Sequence, residues 1–250
     1  MLLDNIKAFI KRPAAIKAFL FIVFYFLIMF VIVDYALSPL FKNICENIYN
    51  KPFDDIPKKS LYLASAVFDL IIYIILIIPL LVGYQFELQY DFFHAISDKK
   101  TPIFFLTSLG IFYVSAVIAG VISMVIYKES QSVNQELIET TLKSGYIAAA
   151  LMFISAVIIG PIVEELIFRQ AMFDIFINKY VSIIISSLLF ASIHIVSSSG
   201  SLRYMVSITI PYLTSGIVFG TIYEKSHRNI WLSIAVHATS NFIALVLVFA

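Results

Sequence analysis

The stretch Pro161-Ile-Val-Glu164-Glu165-Leu-Ile-Phe-Arg169 sets two acids and one base in an otherwise apolar run. Glu165 and Arg169 are in i,i+4 relation, so they share a helix face and can neutralise each other. Glu164 lies about 100° around the helix from Glu165 and has no evident partner in its own segment. A carboxylate left unpaired in apolar surroundings suits general acid–base work. Two other apolar stretches carry histidines, Phe190-Ala-Ser-Ile-His194 and His237-Ala-Thr-Ser-Asn241. His237 and Asn241 again share one face by i,i+4 spacing. A carboxylate beside a histidine can deprotonate a water, and a second histidine with an Asn amide can stabilise an oxyanion. That is a kit for amide hydrolysis. No Ser–His–Asp set is apparent. The single cysteine, Cys45, reads as an ordinary loop or interfacial thiol, so covalent catalysis has no good candidate. Glu164, His194 and His237 would also supply zinc ligands with an open position, although the helical H-E-x-x-H pattern is absent. The residues by themselves leave zinc-dependent and metal-free hydrolysis both open.

The elements that must position these residues are membrane spans. The chain is 61% hydrophobic with a mean hydropathy of +0.96. Only 13% of its residues are charged, against roughly 25% in an ordinary soluble domain. A soluble fold could not cover that much apolar surface, whereas lipid can. Plentiful Phe and Tyr suit lipid-facing and interfacial positions. A net charge of +1 implies no nucleic-acid partner. A span needs roughly 20 apolar residues, and seven segments qualify. They run from about Ala14 to Leu37, Leu61 to Phe86, Pro102 to Tyr127, Ile147 to about Ile177, Val181 to Val196, Tyr204 to Tyr223, and Ile230 to the C-terminus. A break at Gly160-Pro161 would add an eighth. The expected fold is all-α, a polytopic bundle of seven to eight spanning helices with an intramembrane polar cavity, one membrane domain over 1–250.

Between the spans, Ser38–Ser60 reads as a polar connection and Lys128–Ser144, which includes Glu129, as a short surface helix. The N-terminal run follows Lys7, Lys11, Arg12 and Lys17. It exceeds a signal h-region of about 7–15 residues and lacks a cleavage site, so it reads as a first anchor helix. A weak excess of Lys and Arg favours a cytoplasmic N-terminus in the cell membrane.

Charges inside a span cost about 2.5–3.5 kcal/mol each and need a reason. At 1.5 Å per residue, Glu164 and His194 each lie ~20 Å from the inner ends of their helices, with His237 at ~12 Å and Asn241 at ~18 Å. A lone Glu–Arg pair or a lone buried His is more often structural. Three such features at comparable depth favour a functional site formed by Glu164, His194, His237 and Asn241. Arg169 reads as a structural partner and Phe190 as packing. Asp69, isolated in the second span, reads as structural, Gly216-x-x-x-Gly220 as close helix packing, and Pro211 as a kink.

Glu164-Glu165-x-x-x-Arg169, Phe190-x-x-x-His194 and His237-x-x-x-Asn241 resemble the E-E-x-x-x-R, F-x-x-x-H and H-x-x-x-N/D motifs of the CAAX-processing and bacteriocin-processing (CPBP/Abi) intramembrane endopeptidases. Each motif alone is weak, whereas all three in order within hydrophobic segments are specific. The resemblance covers roughly Lys143–Ala250. It implies that Glu164 and His194 activate the hydrolytic water, that His237 and Asn241 stabilise the oxyanion, and that Glu165, Arg169 and Phe190 support them. Such families are often called metalloproteases. The clear roles of Glu164 and Asn241 without a metal favour a glutamate-dependent mechanism, with no cofactor. The resemblance implies a peptide precursor or membrane protein as substrate, in bacteriocin or pheromone processing or self-immunity. The alternative is a non-catalytic immunity or regulatory protein on the same fold.

Overall fold

A computed structural model describes residues 12–128 and 131–249, so Lys7, Lys11 and Glu129 of the reading above lie outside the described residues. Among these, nine helices follow one another without strands: α1 Pro13–Tyr49, α2 Lys58–Gly83, α3 Gln85–Ser97, α4 Thr101–Ile126, α5 Val133–Ser144, α6 Tyr146–Ile175, α7 Lys179–Ile195, α8 Leu202–Lys225 and α9 Ile230–Leu247. Six of them (α1, α2, α4, α6, α8 and α9) are long and apolar enough to cross a membrane. The seventh apolar helix, α7, has 17 residues. The protein is a multi-pass membrane protein with a helical bundle, as the composition requires.

Local chemistry sets the helix starts. Ser132, Asn178, Ser201 and Asn229 each accept backbone N–H bonds at the first turns of α5, α7, α8 and α9. Proline occupies the first turn of α1 and of α4, where its missing N–H costs nothing. Gly145, at φ 156°, makes the sharp turn between α5 and α6 that an L side chain would resist.

Contacts between the loops define two ends of the bundle. At one, Arg12 donates to the carbonyls of Asp174 (2.6 Å) and Ile175 (3.0 Å), and Asp91 of α3 accepts the Ile230 N–H (3.0 Å). At the other, the Val133 N–H donates to Ser198 Oγ (3.1 Å) and the Tyr204 hydroxyl to the Gln131 carbonyl (2.9 Å). The second end carries α5.

Three local expectations change. The first helix does not stop near Leu37 but continues to Tyr49, with a π-helical stretch over Ile28–Leu37. Its last third is amphipathic, and Cys45 lies on the buried face at 2% exposure. Cys45 is therefore a buried helical thiol and not a loop thiol. The fourth span does not break at Gly160-Pro161. A π-helical segment, Ile154–Ile159, precedes the proline and rearranges the hydrogen-bond ladder where its N–H is missing, so α6 runs on to Ile175. The third change is α3, which is too polar and too short to read as a span.

Between α7 and α8, a Cβ at Gly216 would come within 2.8 Å of the Ser187 Cα, and one at Gly220 within 3.4 Å of Ile183. The small-residue spacing therefore brings these two helices into close contact, as read from the sequence. Ser182, Ser186 and Ser187 are fully buried on the α7 side of the contact.

Candidate active site

Glu164 and Glu165 occupy one α-helical turn between two π-helical segments of α6, Ile154–Ile159 and Leu166–Ala171. Such π turns shift the register of the side chains that follow and recur at functional sites. Here they coincide with a reach of α6 that is buried on nearly every side, from Val163 to Phe173.

Glu165 is fully engaged. Its Oε1 accepts from His237 Nδ1 at 2.9 Å. Its Oε2 accepts the Ser233 hydroxyl at 2.5 Å and lies 3.2 Å from Arg169 Nε. Arg169 is wholly buried, with its guanidinium 4.9 Å from the Phe190 ring centre and 5.5 Å from that of Phe219. The Arg169 nitrogens make no bond of hydrogen-bond geometry among the described residues, so the group is held by its charge against Glu165 and by the two ring faces. The i,i+4 pair expected from the sequence is present. Its acid member has a second task, because a carboxylate on Nδ1 fixes the orientation of the His237 ring.

Glu164 is placed differently. It lines a cavity of about 320 Å³ whose wall also includes Asp69, Phe190, His194, His237 and Asn241. Its contacts are loose: the Tyr73 hydroxyl at 3.5 Å from Oε1 and His237 Nε2 at 3.7 Å from Oε2. His237 thus stands between the two glutamates, with Nδ1 on Glu165 and Nε2 turned to Glu164. His194 Nδ1 lies 2.8 Å from the Phe190 carbonyl. A carbonyl only accepts, so Nδ1 carries the proton and a neutral ring presents a basic Nε2. The ring stacks on Tyr212 at 4.6 Å and lies against Phe190 at 4.5 Å. Asn241 donates one amide hydrogen to the Ala156 carbonyl at 2.8 Å, inside the first π segment of α6.

All seven residues singled out by the three motifs therefore meet around one cavity. Glu164, His194, His237, Asn241 and Phe190 line it, and Glu165 with Arg169 packs directly behind. Four neighbours were not read from the sequence as part of the site: Tyr73, Asp69, Tyr212 and Ser233. Asp69 alone gave a signal, as a charge within a span. The others are hydroxyls on helix faces whose partners lie on other helices. Among the described residues, no three His, Cys, Asp or Glu side chains are grouped to hold a metal ion. The donor set of Glu164, His194 and His237 is present but spread around the cavity, with His237 Nδ1 already committed to Glu165.

Residues 146–243 match the family model of the type II CAAX prenyl endopeptidase Rce1-like proteins. The matched segment begins with α6, ends within α9 and contains all three motifs. Three curated proteins are similar to part of the chain. An uncharacterized protein of Mycoplasma capricolum is 37% identical over 127 residues, 48% of this chain and 35% of that protein. The putative membrane peptidase YdiL of Bacillus subtilis is 30% identical over 103 residues, 40% of this chain and 38% of YdiL. The UPF0177 protein YxdF of Lactococcus lactis is 37% identical over 84 residues, 34% of this chain and 42% of YxdF. The matched part of the chain thus spans about two-fifths of the length of each of these relatives. No solved structure matches the chain. The family resemblance drawn from the motifs is borne out over the Rce1-like segment.

Proposed function

We propose that the protein is an intramembrane endopeptidase that hydrolyses a peptide bond of a peptide precursor or a membrane-associated protein by an activated water. The observation that carries this reading is the division of labour between adjacent glutamates. Glu165 has both oxygens engaged, whereas Glu164 faces the cavity with only loose contacts at 3.5 and 3.7 Å. The Rce1-like match and the similarity to a putative membrane peptidase support the same class.

In this mechanism Glu164 and the free Nε2 of His194 take the proton of a water held in the cavity. The hydroxide attacks the scissile carbonyl. The developing oxyanion is met by Nε2–H of a protonated His237 and by the second amide hydrogen of Asn241, both held rigidly by Glu165 and Ala156. The proton held on Glu164 or His194 then passes to the leaving amine. No residue forms a covalent intermediate and no metal takes part, so cleavage by purified protein persists in EDTA and in 1,10-phenanthroline. Loss of cleavage that added zinc restores would overturn the metal-free form of the mechanism. The N-terminus is assigned to the cytoplasm, which puts α5 on the opposite side of the membrane.

The test compares membrane peptidomes of cells carrying wild type and Glu164→Ala, with equal insertion checked by fractionation. Peptides released only by wild type are expected, and they would name the substrate. Identical peptidomes would point instead to a binding or immunity protein that retains the fold.

A further inference from the structure

Asp69 sits in the middle of span α2 and lines the same cavity as Glu164. A charge within a span needs a partner. Among the described residues Asp69 has no hydrogen bond and no ion pair. Neither lysine nor arginine is among the described residues that line the cavity. The nearest base of the site, Arg169, is held by Glu165 behind the rings of Phe190 and Phe219. The cavity therefore presents two carboxylates, Asp69 and Glu164, and two histidines, with no lysine or arginine among its described lining residues.

The helix gives Asp69 a definite place relative to the chemistry. Tyr73, whose hydroxyl touches Glu164, is four residues further along α2 and also lines the cavity. The Asp69 Cα thus lies one turn, about 6 Å along the helix axis, from that of Tyr73. It lies on the side of the α5 end of the bundle, where Asn134 and Gln135 of α5 complete the cavity wall.

We propose that Asp69 is the substrate-recognition carboxylate of the cavity, selecting peptides that carry a lysine or arginine side chain near the scissile bond. The assignment rests on the hydrolytic reading of Glu164. It also gives the unpaired Asp69 a reason to be where it is, since the cation that balances it arrives with the substrate. Asp69 and Glu164 stand on different helices, α2 and α6, so binding the cation at Asp69 leaves Glu164 free to act on water.

The experiment uses the full chain in lipid nanodiscs and a defined library of apolar peptides bearing Lys, Gln or Glu at each position around a central bond. Cleavage is read by mass spectrometry for wild type, Asp69→Asn, Asp69→Lys and Glu164→Gln. Wild type is expected to favour Lys over Gln peptides about tenfold in kcat/KM, the order of one partly buried ion pair. Asp69→Asn, nearly isosteric, should bring that ratio to about one, and Asp69→Lys should turn the preference toward Glu peptides. The ratio is internal to each preparation, so it does not depend on how much protein is folded. An undiminished Lys preference in Asp69→Asn would overturn the proposal while leaving hydrolysis intact. Cleavage by Glu164→Gln at the wild-type rate would overturn the hydrolytic reading itself.

Discussion

The first three spans and the last three are all apolar enough to cross a membrane, but they are used differently. Of the most apolar stretch of α1, α2 and α4, only 11%, 22% and 11% is buried within the protein. For α6, α8 and α9 the shares are 39%, 39% and 44%. In lipid, apolarity does not drive a helix inward, because the tails are as apolar as leucine. What draws helices together is small residues and polar contacts, and these are concentrated in the second group: Gly216 and Gly220 against α7, Ser233 on Glu165, Asn241 on the Ala156 carbonyl. In α4, by contrast, Val114, Val117, Val121 and Val125 are exposed to the surroundings. The packed half is also the Rce1-like half. Of the outer helices, α2 is the most buried, and it alone lends the cavity both a carboxylate and a hydroxyl, Asp69 and Tyr73.

Substitutions can break or sharpen this contrast. Outside the glutamate pair, the largest effect is expected at His194, whose Nε2 shares the base role. His194→Ala should slow cleavage of the substrate identified by peptidomics by about a thousandfold, within the range of general-base loss. A rate within threefold of wild type would remove His194 from the mechanism. Next is Arg169→Ala, which leaves Glu165 buried without its counter-charge. It should cost about 3–5 kcal/mol, read as a lower unfolding temperature in detergent. Unchanged stability would mean that Ser233 and His237 suffice to hold Glu165. Smaller is Gly216→Leu, which forces α8 away from the Ser187 backbone and should cost about 1–3 kcal/mol. The matched change in the outer group, Val117→Leu on exposed α4, should stay within about 0.5 kcal/mol. Equal costs at the two positions would erase the distinction between packed and lipid-facing spans.

What the sequence conveys follows the same division. Spans are legible because hydropathy over about 20 residues is a one-dimensional property. The Glu165–Arg169 pair and the shared face of His237 and Asn241 are legible because i,i+4 contacts are local to a helix. Whether α6 breaks at Gly160-Pro161 is open in the sequence because the π turn that carries the helix past the proline is a hydrogen-bonding adjustment that residue types do not display. The helix through Cys45 is missed because its last turns are amphipathic rather than apolar. The seat of His237 between Glu164 and Glu165 depends on how α9 faces α6, which no spacing within either helix encodes. Tyr73 is hidden for the same reason, since its partner lies 91 positions away.

The central claim is that two adjacent glutamates have separate tasks, Glu164 in chemistry and Glu165 in holding Arg169, Ser233 and His237. It is tested most directly by purifying Glu164→Gln and Glu165→Gln side by side and measuring both cleavage and thermal unfolding. Glu164→Gln should abolish cleavage while its stability stays within about 1 kcal/mol of wild type. Glu165→Gln should lose about 3–5 kcal/mol of stability, with activity falling as the His237 ring is released. A Glu164→Gln protein that still cleaves, or one that unfolds while Glu165→Gln remains stable, would contradict the account.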